Sequence, residues 1–280
     1  MFTRVLSTLV LWSVILASLW FFGAHAAVVL LTLLSALSLH EFYGLMDRMN
    51  LKPFRWLGLA IGVVMTAAPY YLTVYLFDGK EFGGFAPAVL AVAVVICGVR
   101  ILGERDTTNR FEAFSSTLLG LIYLPFMLHY MGRILLIHEE PVIGLMLCLW
   151  LVATSKFCDV GALLTGLAIG RHKLAPNISP KKSWEGAVGG VLVSVGVGAG
   201  IAYLAADWLP ESFTPAIAAL VALPIAVTTI VSDLVESAIK RRADIKDTGT
   251  VIPGIGGALD LTDSLILTAP MGYFIFFFLS

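Results

Sequence analysis

Asp260 and Asp263 stand three residues apart in the first turns of an apolar run, and Asp233 lies near the end of the run before it. On a helix, residues three apart share a face. Two carboxylates placed so repel each other unless a cation or a base lies between them. A helical hairpin with a short connection brings Asp233 to the same place. Three carboxylates with no matching histidines suit a hard divalent ion such as magnesium, bound through oxygen. The competing arrangement is an ion-paired cluster, with Asp260 or Asp263 against Lys240 or Arg241. Lys156, Asp159, Glu185 and Glu236 also interrupt or border apolar runs. Each charge in such a run costs at least a few kcal/mol on membrane-insertion scales. Aspartate is too short to escape by snorkelling to the interface.

Polar segments beside these acids carry the opposite charge. In ISPKKSWEG, Lys181 and Lys182 come just before a helix that begins near Ser183 or Trp184. Helix N-termini attract phosphate through free N–H groups and the helix dipole, and adjacent lysines add point charges. The segment IKRRADIKDTG adds Lys240, Arg241, Arg242 and Lys246. The PGIGG turn that follows, with Gly256 and Gly257, is one where backbone can approach a ligand closely. Basic loops also serve membrane orientation and anionic lipid, and Arg171 or Arg242 alone fits that bland role. The pairs Lys181/Lys182 and Lys240/Lys246, beside carboxylates and glycines, read as phosphate contacts. A cation site and phosphate-binding groups at one level suit phosphoryl or nucleotidyl transfer between a soluble nucleotide and a lipid phosphate.

The elements that must position these residues are apolar. Hydrophobic residues are 59% of the chain and charged residues 13%. A soluble domain lacks the polar surface to enclose that much apolar material. Runs of about 20 residues, enough to cross a bilayer, fall near 5–22, 25–46, 55–77, 84–103, 112–134, 141–167, 185–206, 214–239 and 259–279. The reading is an all-α polytopic integral membrane protein of about nine transmembrane helices, with the N-terminus cytosolic and the first run uncleaved. The basic residues then fall in cytosolic loops, except Lys80 and Arg133 outside and Lys156 within a span, as positive-inside bias requires. The acids and lysines above collect at the cytosolic edge. Residues 1–150 read as a lipid-facing scaffold and 151–280 as the catalytic part of a single membrane domain. The net charge of −1 offers no nucleic-acid partner. Cys97, Cys148 and Cys158 sit in apolar runs with no zinc or disulfide spacing and read as small core residues.

The stretch SDLVESAIKRRADIKDTGTVIPGIGGALDLTDSL resembles the C-terminal signature of the CDP-diacylglycerol synthases, or phosphatidate cytidylyltransferases. That pattern runs S-x-x-K-R-x(4)-K-D-x-G, then P-G-H-G-G, then two hydrophobic residues and D-R-x-D. Ser237, Lys240, Arg241, Lys246, Asp247, Gly249, Pro253, Gly254, Gly256, Gly257, Asp260 and Asp263 match it. The block CDVGALLTGLAIGRHKLAPNISPKKSWEG is similar to a second family region through Asp159, Gly161, Ala162, Ser179, Pro180, Lys181, Lys182, Trp184, Glu185 and Gly186. Earlier than residue 150 the likeness is hydropathy and the short HEFYGL stretch at 40–45. Ile255 stands where the family has histidine, Leu261 where it has arginine, and Ser232 where it has glycine.

The resemblance implies a reaction of CTP with phosphatidate to give CDP-diacylglycerol and diphosphate, on the cytosolic side of a bacterial inner membrane. It implies magnesium on Asp233, Asp260 and Asp263 and leaves room for a second, monovalent cation such as K+; the oligomeric state stays open, a homodimer among the alternatives. Lys240 and Lys246 would act on the phosphates with those acids. Ser179, Lys181, Lys182, Arg241, Gly256 and Gly257 would bind substrate, with Asp159 and Asp247 contacting metal, lysine or cytidine. Two alternatives stay open: a CTP-dependent kinase of a polyprenol or phytol, which releases CDP, and a membrane transporter. Charges at one edge rather than the midplane argue against the transporter.

Overall fold

In an apolar solvent every backbone N–H and C=O must be satisfied within its own segment, so the apolar runs fold as helices. The structure is a computed structural model that describes residues 2–77, 83–103, 109–245, 248–249 and 256–279. Lys246, Asp247 and Ile255 lie outside the described residues. The helices are α1 (Phe2–Arg48), α2 (Arg55–Tyr75), α3 (Phe85–Leu102), α4 (Arg110–Leu121), α5 (Met127–Ile134), α6 (Pro141–Ile169), α7 (Trp184–Leu204), α8 (Pro215–Arg242) and α9 (Ala258–Leu279). A π-helical turn, Ile122–Phe126, joins α4 to α5. Pro125 within it has no N–H for the regular ladder. α4, this turn and α5 together form one membrane-length stretch, Arg110–Ile134.

Among the described residues, eight helical stretches are long and apolar enough to cross a membrane, and the protein is an all-α polytopic membrane protein. The first two expected spans both fall within α1. Its 47 residues make about 70 Å of straight helix at 1.5 Å per residue, twice a ~30 Å hydrocarbon core. The helical backbone breaks at Gly23 (φ 54°, ψ −132°), between the two expected runs. Whether the chain crosses eight or nine times is decided at this break.

Side chains follow the pattern the bilayer demands. Trp20, Leu33, Val95, Leu167, Leu192, Leu220 and Phe278 are more than half exposed, whereas Ser35, Ser38, Thr66, Thr154, Ser194 and Thr229 are buried. The buried hydroxyls bond across or along helices. Ser35 meets Thr66 at 3.2 Å, Ser38 meets Thr262 at 3.1 Å, and Thr229 donates to the Ile225 carbonyl at 3.0 Å.

The chain forms two compact units. One comprises Met1–Leu136 and Arg242–Thr262, so the end of the basic loop and the first turn of α9 belong with the N-terminal helices. Tyr43 organises the packing of α1 on α2 and α4. A Cβ on Gly58 would lie 2.2 Å from its hydroxyl, and one on Gly120 would lie 2.4 Å from its ring. The hydroxyl donates to the Thr117 carbonyl at 2.9 Å.

The other unit comprises Ile137–Arg241 and Asp263–Ser280. Small residues let α6 and α7 approach closely, as in many membrane helix pairs. A Cβ on Gly190 would stand 2.7 Å from the Cys158 carbonyl, and one on Gly186 2.8 Å from that of Ala162. Trp150 Nε1 donates to the Gly198 carbonyl at 2.9 Å, and Ser194 Oγ to that of Thr154 at 3.0 Å. Trp150, Phe213 and Phe276 pack edge to face, with centroids 5.0 to 5.9 Å apart.

Candidate active site

The first basic segment is not a plain loop. Lys173–Ala175 (β1) and Ser179–Ser183 (β2) form an antiparallel hairpin with an irregular register. Its shortness and lack of an apolar alternation hid it from sequence reasoning. Ser183 ends β2 and caps α7, its Oγ accepting from Gly186 N–H at 3.1 Å. Glu185 ties the hairpin to that helix. It accepts from the N–H of Arg171 at 3.1 Å and of His172 at 3.2 Å, and pairs with His172 Nδ1 at 2.5 Å. Along β2 the chain turns from solvent toward α7, so Lys181 is exposed, Lys182 half-buried and Ser183 buried. Lys182 forms an ion pair with Asp233 of α8.

Asp233 and Glu236 lie three apart on α8, and Asp263 lies on α9. Oxygens of all three come within 4.8 Å of one another. Asp233 and Asp263 belong to the acidic trio expected from sequence. The third carboxylate of this group is Glu236, which is fully buried and which sequence reasoning noted but did not place there. Its signal was the spacing of three from Asp233. Each carboxylate carries one lysine from a different element. Lys182 of β2 serves Asp233, Lys240 serves Glu236 at 2.5 Å, and Lys156 of α6 reaches Asp263 at 3.4 Å. Lys156 also donates to Ser264 Oγ at 2.7 Å. The ion pairs weighed from sequence were Asp260 or Asp263 with Lys240 or Arg241. The pairing observed for Asp263 is with Lys156, and Arg241 Nε donates to the Ile178 carbonyl at 3.1 Å. Ser232 donates to the Asp263 carbonyl and accepts from Leu267 N–H at 3.3 Å, which joins α8 to α9 beside the acids. Ser237 donates to Asp233 Oδ1 at 3.4 Å.

A pocket of about 730 Å³ opens next to this cluster, within the size range of small-molecule sites. Asp159, Ser179, Lys181, Lys182 and Asp233 supply its polar lining, and Leu163, Leu167 and Ile230 its apolar lining. Leu163 and Leu167 are also on the exposed surface of α6. One cavity therefore offers cations, carboxylates and hydrocarbon side chains together. Three carboxylate oxygens so close together, with oxygen-only chemistry, fit a divalent cation.

The other unit holds the rest of the expected site. Asp260 Oδ2 accepts from Gly257 N–H at 3.1 Å and Thr248 N–H at 3.4 Å. Gly256 has φ 133°, which a side chain would strain. Gly257 has a different reason for lacking one. A Cβ there would lie 2.2 Å from Thr248 Oγ1 and 2.5 Å from Glu41 Oε2. Glu41 of α1 is 7% exposed and accepts from Ala258 N–H at 3.0 Å, Leu259 N–H at 2.9 Å and Thr248 Oγ1 at 3.1 Å. It is the residue sequence reasoning missed. Its only signal was a carboxylate in an apolar run, within HEFYGL.

The model of the cytidylyltransferase family matches residues 2–279. A phosphatidate cytidylyltransferase of Haemophilus influenzae is 29% identical over 99% of this chain and 99% of its own length. One of Synechocystis is 28% identical over 97% of this chain and 94% of its own. One of Rickettsia bellii is 34% identical over 66% of this chain and 78% of its own. The match from end to end, together with lysines and carboxylates gathered at one pocket, places the chain in the cytidylyltransferase family.

Proposed function

We propose that the protein is a phosphatidate cytidylyltransferase, converting CTP and phosphatidate to CDP-diacylglycerol and diphosphate at the cytosolic face of the bacterial inner membrane. The pocket lined by both charged and hydrocarbon side chains is the observation that supports this reading. A lipid phosphate has the same mixed character, and the exposed leucines of α6 give its acyl chains a way to the bilayer.

A phosphate oxygen of the lipid attacks the α-phosphorus of CTP, and the bond from that phosphorus to the β-phosphate oxygen breaks. The nucleophile is already an anion, so no strong general base is needed. The difficulty is bringing two polyanions together, and fixed positive charge and orientation answer it. Lys181 and Lys182 line the pocket from β2, and we assign Lys240 and Lys246 to the phosphates with them. Asp233 holds Lys182 at the pocket before substrate arrives, and Glu236 holds Lys240 in the neighbouring carboxylate cluster. We assign Ser179, Arg241, Gly256 and Gly257 to substrate binding, and Asp159 and Asp247 to contacts with metal, lysine or cytidine. We assign magnesium to Asp233, Asp260 and Asp263; when bound, it supplies positive charge against the phosphates. The carboxylate cluster supports two of these three, and the D-x-x-D spacing on α9 supports Asp260.

Incubation of purified protein with labelled CTP, magnesium and phosphatidate tests the proposal. CDP-diacylglycerol and diphosphate are expected. Release of CDP with phosphorylation of a polyprenol or phytol would replace it by the kinase reading.

A further inference from the structure

We propose that Glu41 is a positioning residue for this reaction. It holds the first turn of α9 and the Thr248–Gly249 end of the basic segment in the conformation the site uses. The proposal rests on the cytidylyltransferase reading above, and it concerns a residue of α1, about 200 positions from the motif it serves.

A helix begins with N–H groups that have no partner in the helix, and the residue before it normally supplies a capping side chain. At α9 that residue is Gly257, which has none. Glu41 takes the place of the cap from another helix, accepting from the N–H groups of Ala258 and Leu259. Its negative charge also meets the positive end of the α9 dipole. A carboxylate this buried is costly unless its oxygens are hydrogen-bonded, and here both are. Glu41 Oε2 further accepts from Thr248 Oγ1. Asp260 completes the arrangement by accepting from Thr248 N–H and Gly257 N–H. Thr248 is thus gripped by two carboxylates, one from α1 and one from α9. In the chain it directly follows Lys246 and Asp247, so whatever moves Thr248 moves the end of the segment that carries them.

The glycines show that this fit is exacting. A Cβ on Gly249 would lie 2.6 Å from Glu41 Oε1, and one on Gly257 2.5 Å from Oε2. Neither glycine has a positive φ, so backbone conformation does not require them. The space that Glu41 occupies does. Two glycines of the motif therefore admit a carboxylate of the protein itself.

The test uses the full-length protein in detergent with lipid substrate, as parent, Glu41→Ala, Glu41→Gln, Gly249→Ala and the double variant Glu41→Ala with Gly249→Ala. Readouts are kcat, KM for CTP and melting temperature. Glu41→Ala should lower kcat/KM about 100-fold, the scale of an ångström misplacement at a reacting centre. Glu41→Gln should fall between, since its amide keeps one acceptor oxygen and turns an NH2 toward the remaining donors. Gly249→Ala alone should reproduce the defect of Glu41→Ala. In the Glu41→Ala background it should cost little more, because the carboxylate its methyl strikes is gone. If Glu41→Ala does not fold, Glu41→Gln and Gly249→Ala carry the test. Parental kcat/KM per folded molecule in these variants, with only the melting temperature lowered, overturns the proposal. So do fully additive effects of Glu41→Ala and Gly249→Ala. A parent that makes no CDP-diacylglycerol overturns the functional reading along with it.

Discussion

At the scale of single residues, the carboxylate cluster beside the pocket is a set of paired opposite charges. Each pair has two plausible meanings, an ion bridge that stabilises the fold or a preset ligand, and substitution separates them. Asp→Asn keeps volume and removes the charge that holds a hard cation. The proposed ligands Asp233, Asp260 and Asp263 should each, as Asn, insert normally and lose the thermal stabilisation by magnesium. In the parent that stabilisation should reach about 2.7 kcal/mol at a magnesium concentration 100 times Kd. A purely structural pairing predicts another outcome. Asp263→Asn would strand Lys156, and Asp233→Asn would strand Lys182, so stability would fall with no change in magnesium response. Glu236→Gln decides the standing of the third clustered carboxylate. Its pairing with Lys240 expects the magnesium shift to survive, and a vanished shift makes Glu236 a ligand. The two lysines of β2 should differ as well. Each lost phosphate contact should cost about 1.5–3 kcal/mol in kcat/KM for CTP. Lys181→Ala, at an exposed site, should leave the melting temperature alone. Lys182→Ala should lower it, because Asp233 loses its counter-charge.

At the scale of elements, the packing of α6 on α7 determines where Asp159 and the hairpin stand. Glycine serves different ends along α7. Gly190→Ala drives a methyl to 2.7 Å from the Cys158 carbonyl, and neither backbone has room to yield cheaply. A loss of about 1–3 kcal/mol is expected, as for other overpacked sites, with a drop in activity as Asp159 is displaced. Gly196→Ala meets nothing within 4 Å and should be neutral or slightly stabilising, through the entropy of the unfolded chain. Melting both variants in one detergent checks the contrast. Equal melting temperatures would mean that α6 and α7 do not pack as described.

At the scale of the whole molecule, the break at Gly23 affects topology in a limited way. If α1 crosses twice, the N-terminus is cytosolic. If it crosses once, the N-terminus is outside, and every loop after Arg48 keeps its side. In the topology we propose from positive-inside bias, the segments around Lys52, Lys173 and Lys240 face the cytosol in either case. Among native cysteines, Cys97, Cys148 and Cys158 are all buried, so single-cysteine labelling in sealed cells has a low background. Cysteines at Lys52 and Lys173 should react only after the membrane is opened, and one at Glu211 should react from outside. The side on which a cysteine at Thr3 reacts gives the count of spans. Labelling of the Lys173 position from outside would invert the proposed topology.

The amino-acid sequence alone determined the solvent and the element type. A chain this apolar has only the bilayer to dissolve in, and in a bilayer the backbone has only the helix as a local solution. Most helix limits fell within a few residues of the apolar runs, because charge and glycine mark where each run meets water. The family was also readable, since lysines, glycines and aspartates at fixed spacings carry the motif in one dimension. The tertiary structure decided what each charge faces. Lys156 looked like a charge within a span, with no partner legible from its spacing, and proves to serve Asp263. Glu236 looked like one acid among several and proves to be clustered with Asp233 and Asp263. The motif glycine at 257 looked like room for a ligand and proves to lie against Thr248 and Glu41, and Gly249 lies against Glu41 as well. Partners drawn from helices far apart in the chain leave no periodic trace in it. Only the packed fold brings Glu41 to the start of α9 and makes a cap of a carboxylate more than two hundred residues away.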